Sequence, residues 1–276
     1  MMGTLVEERH ENGGRGVGRR GVAGGMRVTH AHEDVPPGPL ELPVIHDPTA
    51  DAAARYRVLA HRLRNGHESR NGHGPRNGHE SRNGHGPLNV NESRNGHETT
   101  VLAVTSARAR EGKTTCAINL AAALAERGEG PVLLADLCVR SPKLAESLGF
   151  APETCATLQL ARANGDGAHG WELTAVWRDE LHVLAIAPGQ ETEVLAPRAI
   201  ETLVGDARQS GYAYVVLDCP AALASPDVGL CDGLVDGLVL TARAGVTRKS
   251  ALLRAAEAFD AAPVLAVVLM GARGKR

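Results

Sequence analysis

Aromatic residues, long hydrophobic runs and paired cysteines are all scarce in this 276-residue chain. Phe, Trp and Tyr make up 3% of it, so a core must be built mainly from Ala, Val and Leu. No apolar stretch approaches the roughly 18 residues needed to cross a bilayer, and the N-terminus lacks the apolar segment of a signal peptide. We therefore expect a soluble protein without a transmembrane segment of its own.

Cysteine usage and charge bear on the expected cellular compartment and on the expected partners. The five cysteines are odd in number, widely spaced and free of any CxxC pair, which favours reduced thiols in a cytoplasmic protein. The formal net charge is −2, so bulk charge gives no reason to expect nucleic-acid binding. Residues 272–276 form a basic tail that we interpret as solvated; contact with anionic lipid or a partner is the alternative.

Three segments precede the first strong strand pattern. Residues 1–48 are rich in Gly, Arg, Glu and Pro without periodicity, and we expect them to be disordered. Residues 49–64 predict a short amphipathic helix, which packs on its own core or docks on a neighbouring subunit. Residues 65–98 repeat the hexapeptides RNGHES and RNGHGP, which predicts a polar linker, with weak Zn²⁺ or Ni²⁺ binding by its histidines as the alternative.

A strand, a polar turn and a helix meet between Val101 and Thr115. The turn ends in Gly-Lys-Thr, and Ala107 stands at the first glycine of the pattern G-x-x-x-x-G-K-[ST]. Unpaired N–H groups and the helix dipole make such a helix start suitable for polyphosphate, unless the match is coincidence or a loop that has lost its function. We predict that the nucleotide-binding residues are Arg110, Glu111, Gly112, Lys113, Thr114 and Thr115.

Further apolar strands alternate with helical patterns as far as residue 271. The predicted strands are residues 131–136, 181–187, 212–218, 234–240 and 264–270. This alternation predicts an α/β domain at residues 99–271, a P-loop NTPase with a mostly parallel sheet and helices on both faces.

Two of these strands end in a carboxylate, Asp136 and Asp218. Ligands lie at the carboxyl ends of parallel strands, and Mg²⁺ beside a nucleotide needs oxygen ligands in octahedral geometry. We therefore predict that Thr114, Asp136 and Asp218 hold Mg²⁺ next to ATP. Capping of the following helices by the two aspartates is the alternative.

Several short segments carry a family resemblance. They are Val104–Ser106, Glu111–Thr115, Asn119–Ala121, Leu133–Asp136 followed by Arg140 and Pro142, Val216–Pro220, and Ala54–Leu59 in the N-terminal helix. In these segments the chain resembles the bacterial tyrosine kinases (BY-kinases) of capsular and exopolysaccharide synthesis, which are deviant Walker-A ATPases.

The resemblance implies an ATP- and Mg²⁺-dependent protein-tyrosine kinase with ATPase activity. Lys113 would belong to Walker A, Asp136 to Walker A′ and Asp218 to Walker B, and these three would be the catalytic residues. Asp136 would help to hold Mg²⁺ and accept the proton of an attacking tyrosine hydroxyl. The implied partners are a membrane-anchored polysaccharide co-polymerase or activator, which would bring this cytoplasmic chain to the inner face of the plasma membrane, and further copies of the chain in a ring or dimer.

Three features depart from the family's pattern. Cys138 replaces the second aspartate of Asp-x-Asp-x-Arg, Met270 stands where an asparagine often meets adenine, and no tyrosine cluster follows residue 270. Cys138 motivates an alternative, a catalytically impaired nucleotide-binding regulator of the same machinery. A partitioning or division-site ATPase is a third hypothesis, although that subgroup's signature lysine would stand at Arg108.

Overall fold

The computed structural model describes residues 25–32, 35–38, 40–71, 99–165, 170–192 and 195–272. Its eight described strands form one sheet in the order β1-β4-β5-β3-β6-β2-β7-β8. The strands are β1 (Met26–His32), β2 (Thr100–Ser106), β3 (Val132–Asp136), β4 (Trp171–Val176), β5 (Arg178–Leu184), β6 (Tyr214–Asp218), β7 (Gly237–Arg243) and β8 (Val264–Met270). Neighbouring strands are parallel except β4 and β5, which are antiparallel.

Helices cover both faces of this sheet. They are α1 (Pro43–His46), α2 (Asp51–Asn71), α3 (Lys113–Ala125), α4 (Leu144–Leu148), α5 (Ala156–Ala163), α6 (Pro197–Gln209) and α7 (Lys249–Ala256), with a 3-10 helix at Pro226–Cys231. In β2, Val101 and Ala103 join a cluster with α5 and α6. Leu102 and Val104 join the opposite cluster, with α2 and α3, because side chains alternate along a strand. The predicted α/β fold is confirmed.

The central strands place the acidic residues side by side. Every residue of β2, β3 and β6 is buried, as expected for strands that are covered on both faces. Strand β6 lies between β2 and β3, and Asp136 is directly opposite Asp218 in the β3–β6 register. The carboxyl end of the sheet therefore brings the phosphate loop after β2 next to both aspartates.

The N-terminal region differs from its prediction of disorder. Within residues 1–48 the structure forms β1, an edge strand paired with β4, and the short helix α1, so the prediction is wrong for these two elements. Met26 and Val28 are buried while Arg27 is exposed, a period-2 pattern too short to stand out in this Gly- and Arg-rich sequence. Residues 1–24, which share the prediction, lie outside the described residues.

The predicted helix at residues 49–64 is α2, which continues through the first hexapeptide copy and ends at Asn71 in the second. The remainder of the predicted linker, residues 72–98, and residues 273–276 of the basic tail lie outside the described residues. Tyr56 and Leu63 of α2 are buried against the cluster that contains α3. Arg57 forms a two-point ion pair with Glu126, with nitrogen–oxygen distances of 2.6 and 2.8 Å. One face of α2 thus packs on the chain's own core.

Asn119 anchors the segment before α2 to helix α3. Its Oδ1 accepts the backbone N–H of Val44 at 3.1 Å, and its Nδ2 donates to the carbonyls of Glu41 (3.1 Å) and Thr115 (2.8 Å). Because Asn119 is fully buried, these bonds satisfy polar atoms that water cannot reach. Within the described part of the chain, no helix combines the length and hydropathy required to span a bilayer.

Candidate functional site

The phosphate loop has the backbone geometry that its sequence predicts. Gly112 has φ +87° and precedes the first residue of α3, Lys113. The positive φ favours glycine, and a Cβ at Gly112 would lie 2.8 Å from Cγ of Met270 and displace that side chain. The N-terminal N–H groups of α3 are oriented as in helices that bind phosphate.

A buried carboxylate braces the entry side of this loop. Glu111 is 4% exposed, and its Oε2 accepts the backbone N–H of Arg108 at 2.9 Å. Its Oε1 accepts the hydroxyl of Thr247 at 2.6 Å, which ties the loop to the turn between β7 and α7. Both oxygens of Glu111 are thus used inside the protein. Its side chain is a brace for the loop, whereas Arg110 is exposed and has a positive φ of 63°.

The side of the loop that faces Asp136 and Asp218 is bonded less completely. The Thr114 hydroxyl donates to Oδ2 of Asp218 at 2.7 Å. Asp136 accepts the N–H groups of Cys138 at 3.0 Å and Leu144 at 3.4 Å. Both aspartates are fully buried, yet Oδ1 of Asp218 has no hydrogen-bond partner among the described residues. Such an orphaned oxygen is rare in a folded protein, and a bound ion or a water molecule would complete its bonding.

Burial dominates the electrostatics of this acidic pair. It raises the pKa of Asp136, although backbone hydrogen bonds oppose the shift. Burial and then repulsion by Asp136 raise the pKa of Asp218, while the Thr114 hydrogen bond and the Lys113 ammonium lower it. Because two carboxylates in a dry site repel each other, a cation bound between them would stabilise both charges.

The donor atoms suit a divalent ion with one exception. One ligand atom from each of Asp136, Cys138 and Asp218 lies within 4.8 Å of the others. The carboxylates and the Thr114 hydroxyl are hard oxygen donors that fit Mg²⁺. The sulfur of Cys138, which is 3.6 Å from the Asp218 carbonyl oxygen, does not fit Mg²⁺.

The structure brings most of the predicted site residues together. Thr114, Asp136 and Asp218 meet at the carboxyl end of β3 and β6, and Lys113 is close enough to affect the pKa of Asp218. Thr115 contributes its carbonyl to Asn119 inside α3.

Two contacts near the loop were missed from the sequence. Met270, which stands where the family often has an adenine-contacting asparagine, places its side chain against Gly112, and its sulfur lies 3.8 Å from the Tyr56 hydroxyl. The tie from Glu111 to Thr247 joins residues 136 positions apart, and no sequence signal pointed to it. A cavity of about 270 Å³ adjoins this tie. It is lined by Arg108, Glu111, Val246, Thr247, Arg248 and Ala251.

Sequence comparison identifies two curated relatives. The succinoglycan biosynthesis transport protein ExoP of Rhizobium meliloti (strain 1021) is 32% identical over 158 residues, which are 54% of this chain and 19% of ExoP. The tyrosine-protein kinase YwqD of Bacillus subtilis (strain 168) is 29% identical over 160 residues, 56% of this chain and 65% of YwqD. The match therefore spans less than two thirds of either relative. No protein-family model matches the chain.

Solved structures share the fold. The chimerical protein CapA2B2 has a TM-score of 0.60 at 19% identity, with 83% of this chain and 88% of that chain covered. The kinase domain of the Escherichia coli tyrosine kinase ETK has a TM-score of 0.57 at 19% identity, with 86% and 83% covered. Taken with the two sequence relatives, these folds confirm that the chain resembles the bacterial tyrosine kinases of capsular and exopolysaccharide synthesis.

Proposed function

We propose that this chain is an ATP- and Mg²⁺-dependent protein-tyrosine kinase that regulates capsular or exopolysaccharide synthesis or export. The observation that supports this most directly is the unpartnered Oδ1 of Asp218, buried beside Thr114 and Asp136 at the start of α3. A buried carboxylate oxygen without a partner is costly, and a metal–nucleotide complex would supply what it lacks.

Each residue of the site has a distinct part in this proposal. Lys113 and the N–H groups at the start of α3 bind and orient the phosphates. Thr114, Asp136 and Asp218 would hold Mg²⁺, which, when bound, neutralises charge on the transferred phosphoryl group. Asp136 accepts the proton of the tyrosine hydroxyl as that hydroxyl attacks the phosphoryl group.

The proposed setting is the cytoplasmic face of the plasma membrane. There the chain would act with a membrane-anchored polysaccharide co-polymerase or activator and with further copies of itself, in a ring or dimer. The outer face of α2 is the surface we propose for self-association, because Val58 is 51% exposed. Val58 lines a groove on this face together with Asp51, Ala54, Arg55, Leu59 and Arg62.

The kinase proposal is tested with purified protein, labelled ATP and Mg²⁺, with and without the membrane activator. We expect phosphotyrosine to form on the chain or on an added acceptor. Lys113→Ala should lose ATP binding in calorimetry, whereas Lys143→Ala, a matched loss of an exposed lysine, should retain it. An unchanged dissociation constant in Lys113→Ala would contradict the proposal.

Cys138 supports a second candidate function, a nucleotide-binding regulator with impaired phosphotransfer. Its sulfur lies among the metal-ligand positions but suits Mg²⁺ poorly. Cys138→Asp discriminates between the two candidates. A large gain in phosphotyrosine formation would support the impaired regulator, and a loss of activity would support the kinase.

A further inference from the structure

We propose that Asp136, Cys138 and Asp218 form a site for a thiophilic divalent cation of the Zn²⁺ class, occupied without nucleotide. We call these three residues the mixed-donor site. The inference rests on the proposed function because the two share a pocket, but it needs no ATP.

The donor atoms of the mixed-donor site lie close to a common ion position. One atom from each of the three residues lies within 4.8 Å of the others. Around a tetrahedral Zn²⁺, with bonds of 2.0 to 2.3 Å, donor atoms are about 3.5 Å apart. Side-chain rotations that move each donor atom by about an ångström would therefore let all three atoms bind one ion. The Cys138 N–H donates to the Asp136 carboxylate at 3.0 Å and so holds the two residues together.

The unpartnered oxygen of Asp218 offers the ion a buried ligand atom. This residue is fully buried, and its Oδ1 contacts no donor among the described residues. Among the described residues, the sulfur of Cys138 contacts the Asp218 carbonyl oxygen at a long 3.6 Å, and Cys138 is 8% exposed. Both atoms are thus available to a ligand. The Thr114 hydroxyl, bonded to the other Asp218 oxygen, marks the position of a fourth donor or a water.

The chemistry of the donors then selects the ion. Two carboxylates alone would suit Mg²⁺, but a thiolate favours Zn²⁺ and other thiophilic ions over Mg²⁺. Binding forms a sulfur–metal bond and breaks the S–H bond of Cys138, and the thiol proton passes to the buffer. We expect the occupied site to exclude Mg²⁺ and so to inhibit phosphotransfer.

Two other features of the chain could also take up such an ion. Cys219 and Cys231 are buried with their sulfurs 3.8 Å apart, and residues 65–98 contain repeated histidines. The experiment therefore uses Cd²⁺ as the probe, because the ultraviolet charge-transfer band of Cd²⁺–thiolate reports sulfur ligation and is blind to histidine. Cys231→Ala separates the mixed-donor site from the Cys219–Cys231 pair.

The test is a Cd²⁺ titration of the full chain without nucleotide. We expect a band that saturates near one equivalent, disappears in Cys138→Ser, and needs at least about tenfold more Cd²⁺ in Asp218→Asn. It should persist in Cys231→Ala and in Cys155→Ser, and Zn²⁺ should compete it away. A wild-type chain without the band, or a Cys138→Ser chain that keeps it, would overturn the proposal.

Controls separate this result from the kinase proposal. Cys138→Asp keeps a ligand at the position but removes the sulfur, so it should fold, bind Mg²⁺-ATP and show no Cd²⁺ band. Loss of ATP binding in Lys113→Ala tests the kinase proposal alone. Cd²⁺ binding in a chain that never binds ATP would uphold the mixed-donor site and refute the kinase.

Discussion

Glu111 and Asp218 are buried carboxylates on the two sides of the same phosphate loop, and they are treated very differently. Glu111 has a donor on each oxygen, the Arg108 N–H and the Thr247 hydroxyl. Asp218 has one donor, from Thr114, and one oxygen without a partner. The fully bonded acid holds the loop in place, whereas the incompletely bonded acid is the one that we propose binds the metal ion. Acidity and burial alone would not distinguish a brace from a binding group.

The largest effect on phosphotransfer should come from removing the charge of Asp218, the incompletely bonded acid. We expect Asp218→Asn to lower phosphotransfer by at least about a hundredfold, because an amide holds Mg²⁺ poorly where charge develops in the transition state. Initial rates at saturating Mg²⁺-ATP measure this. Glu111→Gln is the matched control, and an equal loss in both variants would remove the contrast between the two acids.

The same substitution should stabilise the ligand-free protein at neutral pH. An asparagine removes a buried charge, and we expect a gain of about 1 to 3 kcal/mol in the free energy of unfolding. Burial raises the pKa of Asp218 above 3.8, its ordinary value, so the folded state holds a proton that the unfolded state has lost. The contribution of Asp218 to stability is thus present below that value and lost as the pH rises through the higher folded pKa.

Urea unfolding across a pH series measures this dependence. The gain of Asp218→Asn over the wild type should be small in acid and grow towards neutral pH. Asp136→Asn should show the same trend, because burial also raises the pKa of Asp136. A gain that does not vary with pH would contradict this account of the pair.

Breaking the brace should have the opposite effect on stability. We expect Glu111→Ala to destabilise the protein by about 1 to 3 kcal/mol, because the Arg108 N–H and the Thr247 hydroxyl lose their acceptor. Thr247→Val leaves the Arg108 N–H bonded to Glu111. It removes both the Thr247 donor and the acceptor of the Arg243 N–H, so its cost should lie in the same range. Thermal unfolding with circular dichroism measures both, and a Glu111→Ala protein as stable as the wild type would show that the brace is unimportant.

The smallest effect should come from a partly exposed ion pair. Glu126 pairs with Arg57 at 2.6 Å, but the Arg57 side chain is 36% exposed and water screens the pair. Arg57→Ala should therefore cost only about 0.2 to 1 kcal/mol. Unfolding in urea, with and without added salt, measures this cost. A loss of stability as large as that in Glu111→Ala would contradict the expectation that solvent exposure weakens the Arg57–Glu126 pair.

The sequence predicted that Asp136 and Asp218 lie at the same edge of the sheet, because their positions depend on local patterns. Asp136 and Asp218 each close an apolar strand, and parallel strands bring their carboxyl ends to one edge of the sheet. The apolar run before the phosphate loop and the alternation of strands with helices identified the fold in the same way.

The missed features depend on partners that lie far away in the chain. Strands β1 and β4 were both overlooked, and they pair with each other at the edge of the sheet across more than a hundred residues. Neither has the long apolar run of a central strand, so each is stabilised by tertiary pairing rather than by its own sequence pattern. The contacts of Glu111 with Thr247 and of Met270 with Gly112 are equally distant.

Calorimetric titration of ATP with and without Mg²⁺, on the wild type and on Asp218→Asn, tests the central claim most directly. If the unpartnered oxygen of Asp218 marks a metal–nucleotide site, Mg²⁺ should tighten ATP binding to the wild type by at least about tenfold, since a lost ligand interaction of 1.4 kcal/mol is a tenfold change in affinity. Mg²⁺ should leave binding to Asp218→Asn nearly unchanged. A variant that keeps the full Mg²⁺ dependence would contradict the account.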